Sequence, residues 1–421
     1  MDIQYIFRRI EERKEELFDL LSRLVKIDSQ NFSSHGNEKE ICQYIHKLCL
    51  DMGLDSAMYS PMELENFADH PDYMPNHGLE DRYNVTACWK GTENVNNLML
   101  MAHTDTVQFG DLKNWTRHPL SGAIENGRIY GRGSGDDKSG IAIMLFLTKL
   151  LKEEGFRPKE NLLLSAYCDE EYGGSHGALA AVLRDPCPRV VNIDASVDDL
   201  VHCATGGGEM KFKYHCDEPV DSSWRVARAL PVAMDVIDEF AARRRSELEN
   251  NRFYADTVVP QQALRYIGVK AGENGQDLGV GELHFVFYTD KTKEEIYPEF
   301  DQMDAVLRER LAPLGMVSDG FYPTTRFFHY VTCEGDHPHV QDYLEVANKV
   351  TGRTIEVCGG GLGDHSVIAK YGCPSALSIG CIRNFEQAGG AHQPNEFIEC
   401  DKMVEFAKII AAYMLKVLQL K

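Results

Sequence analysis

Three short apolar runs stop abruptly at polar clusters, and this pattern organises the chain. Leu98-Met99-Leu100-Met101 ends in Ala102-His103-Thr104-Asp105. Leu162-Leu163-Leu164-Ser165-Ala166-Tyr167-Cys168 ends in three consecutive acids, Asp169-Glu170-Glu171. Arg189 to Ile193 ends in Asp194-Ala195-Ser196. Short apolar runs bounded by polar residues predict strands buried in an α/β sheet. Polar residues just past such strands lie at their carboxyl ends, where open α/β sheets place their sites.

Helical periodicity fills the space between the runs. Leu17, Leu20, Leu21, Leu24 and Val25 share one face of a predicted helix from Ile6 to Lys26. A second spans Asn37 to Met52, with Gly53 as its C-cap. Phe67 to Asn84 reads as a loop, and Val85 to Lys90 as a strand pairing with Leu98 to Met101. A glycine-dense loop, Gly127 to Gly140, carries Asp136-Asp137 and feeds an apolar helix from Ile141 to Leu151. Ala178 to Leu183 is helical. Beyond Thr205-Gly206-Gly207-Gly208 the pattern changes: strand Glu209 to His215, helix Val232 to Glu249, strands Leu264 to Lys270 and Glu282 to Thr289, helix Lys293 to Leu314, strand Arg326 to Thr332. That βαββαβ order predicts a small two-layer α+β domain inserted in the larger one. The chain then returns through a helix at Val340 to Val350, a glycine loop at Gly359 to Ser366, a strand at Ala376 to Cys381 and a closing helix at Asp401 to Leu420. The expected domains are 1–206 with 328–421, and an inserted 207–327.

Composition narrows the function. A chain of 421 residues is long enough for two domains, one with a large core. A net charge of −21 argues against nucleic acid or an anionic membrane as partner, because both need a basic face. The twelve cysteines contain no Cys-x-x-Cys pair and read as reduced core thiols. Met1 to Lys14 is charged, without a signal-peptide core, and Ile141 to Leu151 is too short to span a bilayer. The expected location is cytoplasmic.

Two strands ending in His-x-Asp and Asp-Glu-Glu, with an Asp-Asp loop between them, point to a divalent metal site, for which imidazole and carboxylate are ligands. Residues two apart on an extended segment face the same side. His103 can therefore bind metal while Asp105 orients its other ring nitrogen. Singly, each cluster reads as a solvated turn or a hydrogen-bonded core histidine; together at strand ends they favour the metal.

The motifs His103-Thr104-Asp105, Trp115 through Pro119-Leu120-Ser121-Gly122, Gly127 to Gly133, Asp136-Asp137-Lys138, Asp169-Glu170-Glu171 and Ala391-His392-Gln393-Pro394-Asn395-Glu396 fall in order across the chain. In this the chain resembles the co-catalytic zinc amidohydrolases typified by acetylornithine deacetylase, succinyl-diaminopimelate desuccinylase, carboxypeptidase G and peptidase T. The resemblance implies a zinc-peptidase-like, three-layer α/β catalytic domain with a mixed central sheet. It also implies an inserted α+β, ferredoxin-like lid or dimerisation domain, hence a homodimer through that domain. Two divalent ions follow, zinc first, with cobalt or manganese as alternatives. Asp136 would bridge them, His103 and Asp194 would complete one, and Glu171 and His392 the other. Glu170 matches the general base and Asp105 the partner of His103. His365 is a rival to His392, and Asp137 is expected to be outward or structural. His215 and His284 are candidates for the donor to a developing oxyanion. The implied activity is hydrolysis of an amide bond in a small N-acyl amino acid or short peptide by water activated between the metals. The alternatives are a metal-binding protein without catalysis and a dizinc esterase or phosphatase.

Overall fold

The computed structural model describes residues 3–216, 222–273 and 276–420. The chain divides into two compact units, Met1–His202 with Thr332–Cys358 and Val367–Lys421, and Cys203–Val331 with Gly359–Ser366. The glycine loop thus groups with the second unit, although it lies beyond residue 328.

The chain opens with α1 (Ile3–Val25), α2 (Lys39–Asp51), β1 (Asp55–Tyr59), β2 (Asn84–Trp89), β3 (Asn96–His103), β4 (Ala123–Glu125), β5 (Arg128–Tyr130), α3 (Lys138–Glu153), β6 (Asn161–Tyr167), α4 (His176–Arg184), β7 (Arg189–Asn192) and β8 (Asp199–Ala204). Next come β9 (Gly206–His215), α5 (Ser222–Glu249), β10 (Leu264–Glu273), β11 (Gln276–Thr289), α6 (Lys293–Leu311) and β12 (Val317–Pro323). The remainder is β13 (Val331–Thr332), α7 (Pro338–Thr351), β14 (Glu356–Gly360), α8 (His365–Tyr371), β15 (Leu377–Ser378), β16 (Phe397–Glu399) and α9 (Cys400–Val417).

In the first unit the mixed central sheet runs β1-β2-β6-β3-β7-β15-β8. β3 lies parallel to both β6 and β7, and β15 parallel to β7, while β1, β2 and β6 pair antiparallel. The expected pairing of Val85 to Lys90 with Leu98 to Met101 is therefore corrected: β6 comes between them. The apolar runs are buried on both faces, as parallel strands under helices require. Leu98, Leu100 and Ala102 join α1, α3 and α9 in one large core. Met99 and Met101, also fully buried, alternate to the other side. A separate three-stranded sheet, β16-β5-β4, pins the segment after His392 to the strand before the Asp136 loop through Phe397–Tyr130 and Glu399–Arg128.

In the second unit four antiparallel strands run β10-β11-β9-β12. Met210, Phe212 and Tyr214 of β9 alternate into a core with α5 and α6, leaving Lys211, Lys213 and His215 on the other face. This is the expected ferredoxin-like arrangement, but its last strand is β12, not Arg326 to Thr332.

Burial also sets a pH response in the first unit. His339 on α7 is buried, donates from Nδ1 to the Ser375 carbonyl at 2.7 Å, and is pushed by that burial down to about 4. The folded state then binds fewer protons than the unfolded one below the ordinary imidazole range, so stability falls as pH drops from 6.5 towards 4. By pH 5 this costs about 2 kcal/mol. Urea midpoints at pH 7 and pH 5 should differ more in the wild type than in His339→Gln; equal differences would rule the histidine out.

Candidate metal centre

Neighbouring parallel strands β6, β3 and β7 end side by side. His103 is the last residue of β3 and is in register with Tyr167, the last of β6. Asp169 to Glu171 follow β6, and Asp194 follows β7 two residues on. Asp136 comes from the loop between β5 and α3, and His392 from the turn before β16, where its φ is 63°.

These residues form two overlapping groups. His103, Asp136 and Asp194 each offer a ligand atom within 4.8 Å of one another, and so do Asp136, Glu171 and His392. Asp136 belongs to both. Its Oδ1 lies 2.9 Å from His103 Nε2, and its Oδ2 lies 3.2 Å from His392 Nε2. His392 Nε2 is 3.0 Å from Glu171 Oε2. His103 Nδ1 is 2.9 Å from the Asp105 carbonyl oxygen, which can only accept. Nδ1 therefore carries the proton and Nε2 is left for a ligand.

That contact alters the part expected of Asp105. Its carboxylate is 3.6 Å from His103 Nδ1, while Oδ1 accepts from the Glu170 amide at 3.1 Å and Oδ2 from the Glu171 amide at 3.0 Å. The backbone carbonyl of Asp105 makes the closer contact with the imidazole, and its carboxylate, besides facing Nδ1, holds the Glu170–Glu171 turn. The competing acids are engaged elsewhere: Asp198 with Arg353 at 2.5 Å, and Asp199 with the Ser196 hydroxyl at 2.8 Å. Asp137 is buried rather than outward, and caps α3 by accepting from the Gly140 amide. His365 groups with the second unit. His215 and His284 belong to that unit too, with carboxylate neighbours Asp319 at 2.9 Å and Glu209 at 3.1 Å.

Charge is the test of whether metal suits this place. Burial pushes Glu171 up, and Asp194 up to about 6. Burial opposes charge on Asp136 as well, but His103 and His392 outweigh it and hold that carboxyl far below its ordinary range. Both histidines are raised despite burial, His103 by Asp105 and Asp136, His392 by Glu171 and Asp136. Glu171 and Asp194 thus resist ionisation, while Asp136 stays charged and both imidazoles are drawn toward protonation. Divalent cations would discharge that field, and the mixed nitrogen and oxygen donor set suits zinc, cobalt or manganese.

Residues 99–416 match the description of peptidase family M20/M25/M40. The chain belongs to that family. It is 34% identical over 164 residues to an uncharacterised metallohydrolase of Methanocaldococcus jannaschii, a stretch covering 39% of this chain and 38% of that protein. The match therefore spans well under half the length of that relative. An acetylornithine deacetylase of Erwinia tasmaniensis is 24% identical over 337 residues, covering 78% of this chain and 82% of that one. Among solved structures, a di-peptidase from Saccharomyces cerevisiae superposes with a TM-score of 0.75 at 15% identity, over 99% of both chains. Human carnosine dipeptidase 1 gives 0.71 at 13% identity, over 99% of this chain and 100% of that one. At such identities the superpositions speak to the fold.

Two buried residues beside these groups, Glu396 and Arg132, have no role in the motif reading. Glu396 is buried; its Oε1 accepts from the Gly135 amide at 3.0 Å and the Asp136 amide at 3.2 Å, and its Oε2 from Arg132 Nη1 at 2.6 Å. Arg132 Nη2 donates to the His392 carbonyl at 3.1 Å. This clamp joins the loops bearing Asp136 and His392, and both residues were visible within the quoted motifs.

Proposed function

We propose that this M20 member is a metal-dependent hydrolase that cleaves an amide bond of a small N-acyl amino acid or short peptide. The observation that carries the reading is the pair of ligand groups sharing Asp136 at adjoining strand ends. His103, Asp136 and Asp194 would hold one ion, and Asp136, Glu171 and His392 the other. When bound, such ions polarise a carbonyl and make water more acidic. Glu170 takes the proton from the attacking water at its carboxylate and returns it to the departing amine nitrogen. Asp105 sets the turn from which Glu170 projects.

The names of the relatives support amide chemistry, since one is a deacetylase and others are dipeptidases. We assign catalysis to the first unit, expected at 1–206 and 328–421, and a lid or homodimer contact to the inserted 207–327. Among the described residues no helix is long and apolar enough to cross a membrane. Among the described residues no disulfide forms, and we place the chain in a reducing cytoplasm on that footing.

The deciding experiment is a turnover screen of N-acetyl and N-succinyl amino acids, dipeptides and tripeptides with zinc, cobalt or manganese. Amine release that depends on metal is expected. Release of alcohol or phosphate from ester substrates, with no amine from any amide, would overturn the reading. Chelation should also lower stability as well as activity: ions present at a hundred times their Kd stabilise by about 2.7 kcal/mol. The melting temperature should fall on chelation and recover on adding zinc.

A further inference from the structure

A buried amide crosslinks the two turns that carry Asp105 and Glu170–Glu171. Asn31 lies between α1 and α2 and is fully buried. Its Nδ2 donates to Asp105 Oδ2 at 2.8 Å, to the Glu171 carbonyl at 3.2 Å and to Asp169 Oδ1 at 3.3 Å. Its Oδ1 accepts from Arg82 Nη2 at 2.6 Å and from the Ser33 amide at 2.7 Å. Acceptors surround one end of the amide and donors the other, so its orientation is fixed. The backbone repeats the tie, with the Asn31 amide donating to Thr106 O at 2.8 Å and the Thr106 amide to Ser29 O at 3.0 Å.

The turn that Asn31 grips has to be held. Asp169 and Tyr172, flanking the two glutamates, have φ of 59° and 61°, in the left-handed region that non-glycine residues avoid. Asp169 is anchored from behind by buried Arg82, by His176 Nδ1 at 2.5 Å and by His77 Nδ1 at 3.2 Å. Asp105 receives both glutamate amides from in front. Asn31 touches all three parts: Asp169 behind, Asp105 in front, and the Glu171 carbonyl itself.

We infer that Asn31 is a positioning residue for Glu170 and Glu171, acting through Asp105 and the Glu171 carbonyl rather than on substrate. The inference rests on the roles given to the two glutamates under Proposed function. It predicts that loss of the Asn31 donor disturbs metal binding and catalysis beyond any loss of stability.

Asn31→Asp is the sharpest variant: it keeps size but sets a carboxylate oxygen against three acceptor oxygens. Asn31→Ser, which keeps a hydroxyl donor, makes the comparison if the aspartate variant does not fold. Metal-free protein is titrated with Zn²⁺, and with Co²⁺ followed by its visible absorption, beside wild type and Glu171→Gln. Melting temperature, kcat and KM are recorded on the metal-loaded proteins. Outer partners of metal ligands typically matter by about 10–100-fold in affinity or activity. We expect a loss of that order in affinity for the ion that Glu171 holds, a smaller loss for the other ion, and a fall in kcat at saturating metal with KM little changed. Asn31 variants that melt lower yet bind both ions and turn over like wild type would reduce Asn31 to a structural residue and overturn the inference. Wild-type affinity in Glu171→Gln would overturn the ligand assignment, and this inference with it.

Discussion

Glu170→Gln should keep both metals and lose about 10²–10⁴-fold in kcat, the range typical of removing a general base. The glutamine matches the glutamate in size and still offers its amide to Asp105 Oδ1, so the turn is undisturbed. Glu170 and Glu171 lie in the turn past β6, Glu170 with helical backbone and Glu171 opening a short 3-10 turn, and only Glu171 joins a ligand group. Glu171 Oε1 accepts from the Val107 amide at 3.1 Å and faces His392, which commits it to the ligand group. Glu170 belongs to neither ligand group, yet its charge contributes to raising His103, so it borders the same space. A base used both to deprotonate water and to protonate the amine should fall at the upper end of the range. Metal content and turnover of Glu170→Gln and Glu171→Gln, measured side by side, test this. Metal loss in Glu170→Gln with normal turnover per bound ion would mean the two roles are exchanged.

Asp136→Asn should weaken both ions at once. Asp136 alone is common to the two ligand groups, and its two oxygens face different histidines. An asparagine keeps one acceptor, turns the other end into a donor and removes the charge. Breaking a buried charged pair costs about 3–5 kcal/mol, or about 10²–10³-fold or more in affinity. Asp194→Asn and His392→Ala each touch a single group and should spare the other ion. Metal counting by mass spectrometry after dialysis should give stoichiometries near zero for Asp136→Asn and near one for the other two. Two ions retained at wild-type affinity in Asp136→Asn would end the shared-carboxylate scheme.

Much of this arrangement was legible because its parts sit at the ends of apolar runs. Leu98 to Met101 and Leu162 to Cys168 announce strands, and side chains just beyond them fall at one edge of the sheet. What failed was pairing. Val85 to Lys90 was assigned to its neighbour in sequence, but β6 inserts between them, a long-range event that no local pattern records. β12 was missed because Asp319, Gly320 and Pro323 read as loop residues; at the sheet edge such residues are tolerated. Asp105 was read through its spacing from His103; its carbonyl and its carboxylate both face His103 Nδ1, at 2.9 and 3.6 Å, and only the fold shows that the carboxylate also holds the Glu170–Glu171 turn. Asn31 was illegible for a different reason: an asparagine beside Ser29, Gln30 and Ser33 reads as an ordinary turn residue. Only the folded chain brings Asp105, Asp169 and Glu171 to its amide.

The order of the ligands along the chain has a consequence during synthesis. One group is complete once Asp194 has been made, while the other needs His392, close to the far end. Between these points the ribosome makes the whole second unit. β16, which ties the His392 turn back to β5, is among the last strands to emerge, and closing so long a loop is slow. A nascent chain can therefore gather His103, Asp136 and Asp194 well before His392 can complete the second candidate group. Under the proposed ligand scheme, capture of a second ion would mark the moment when the two distant parts of the first unit have joined.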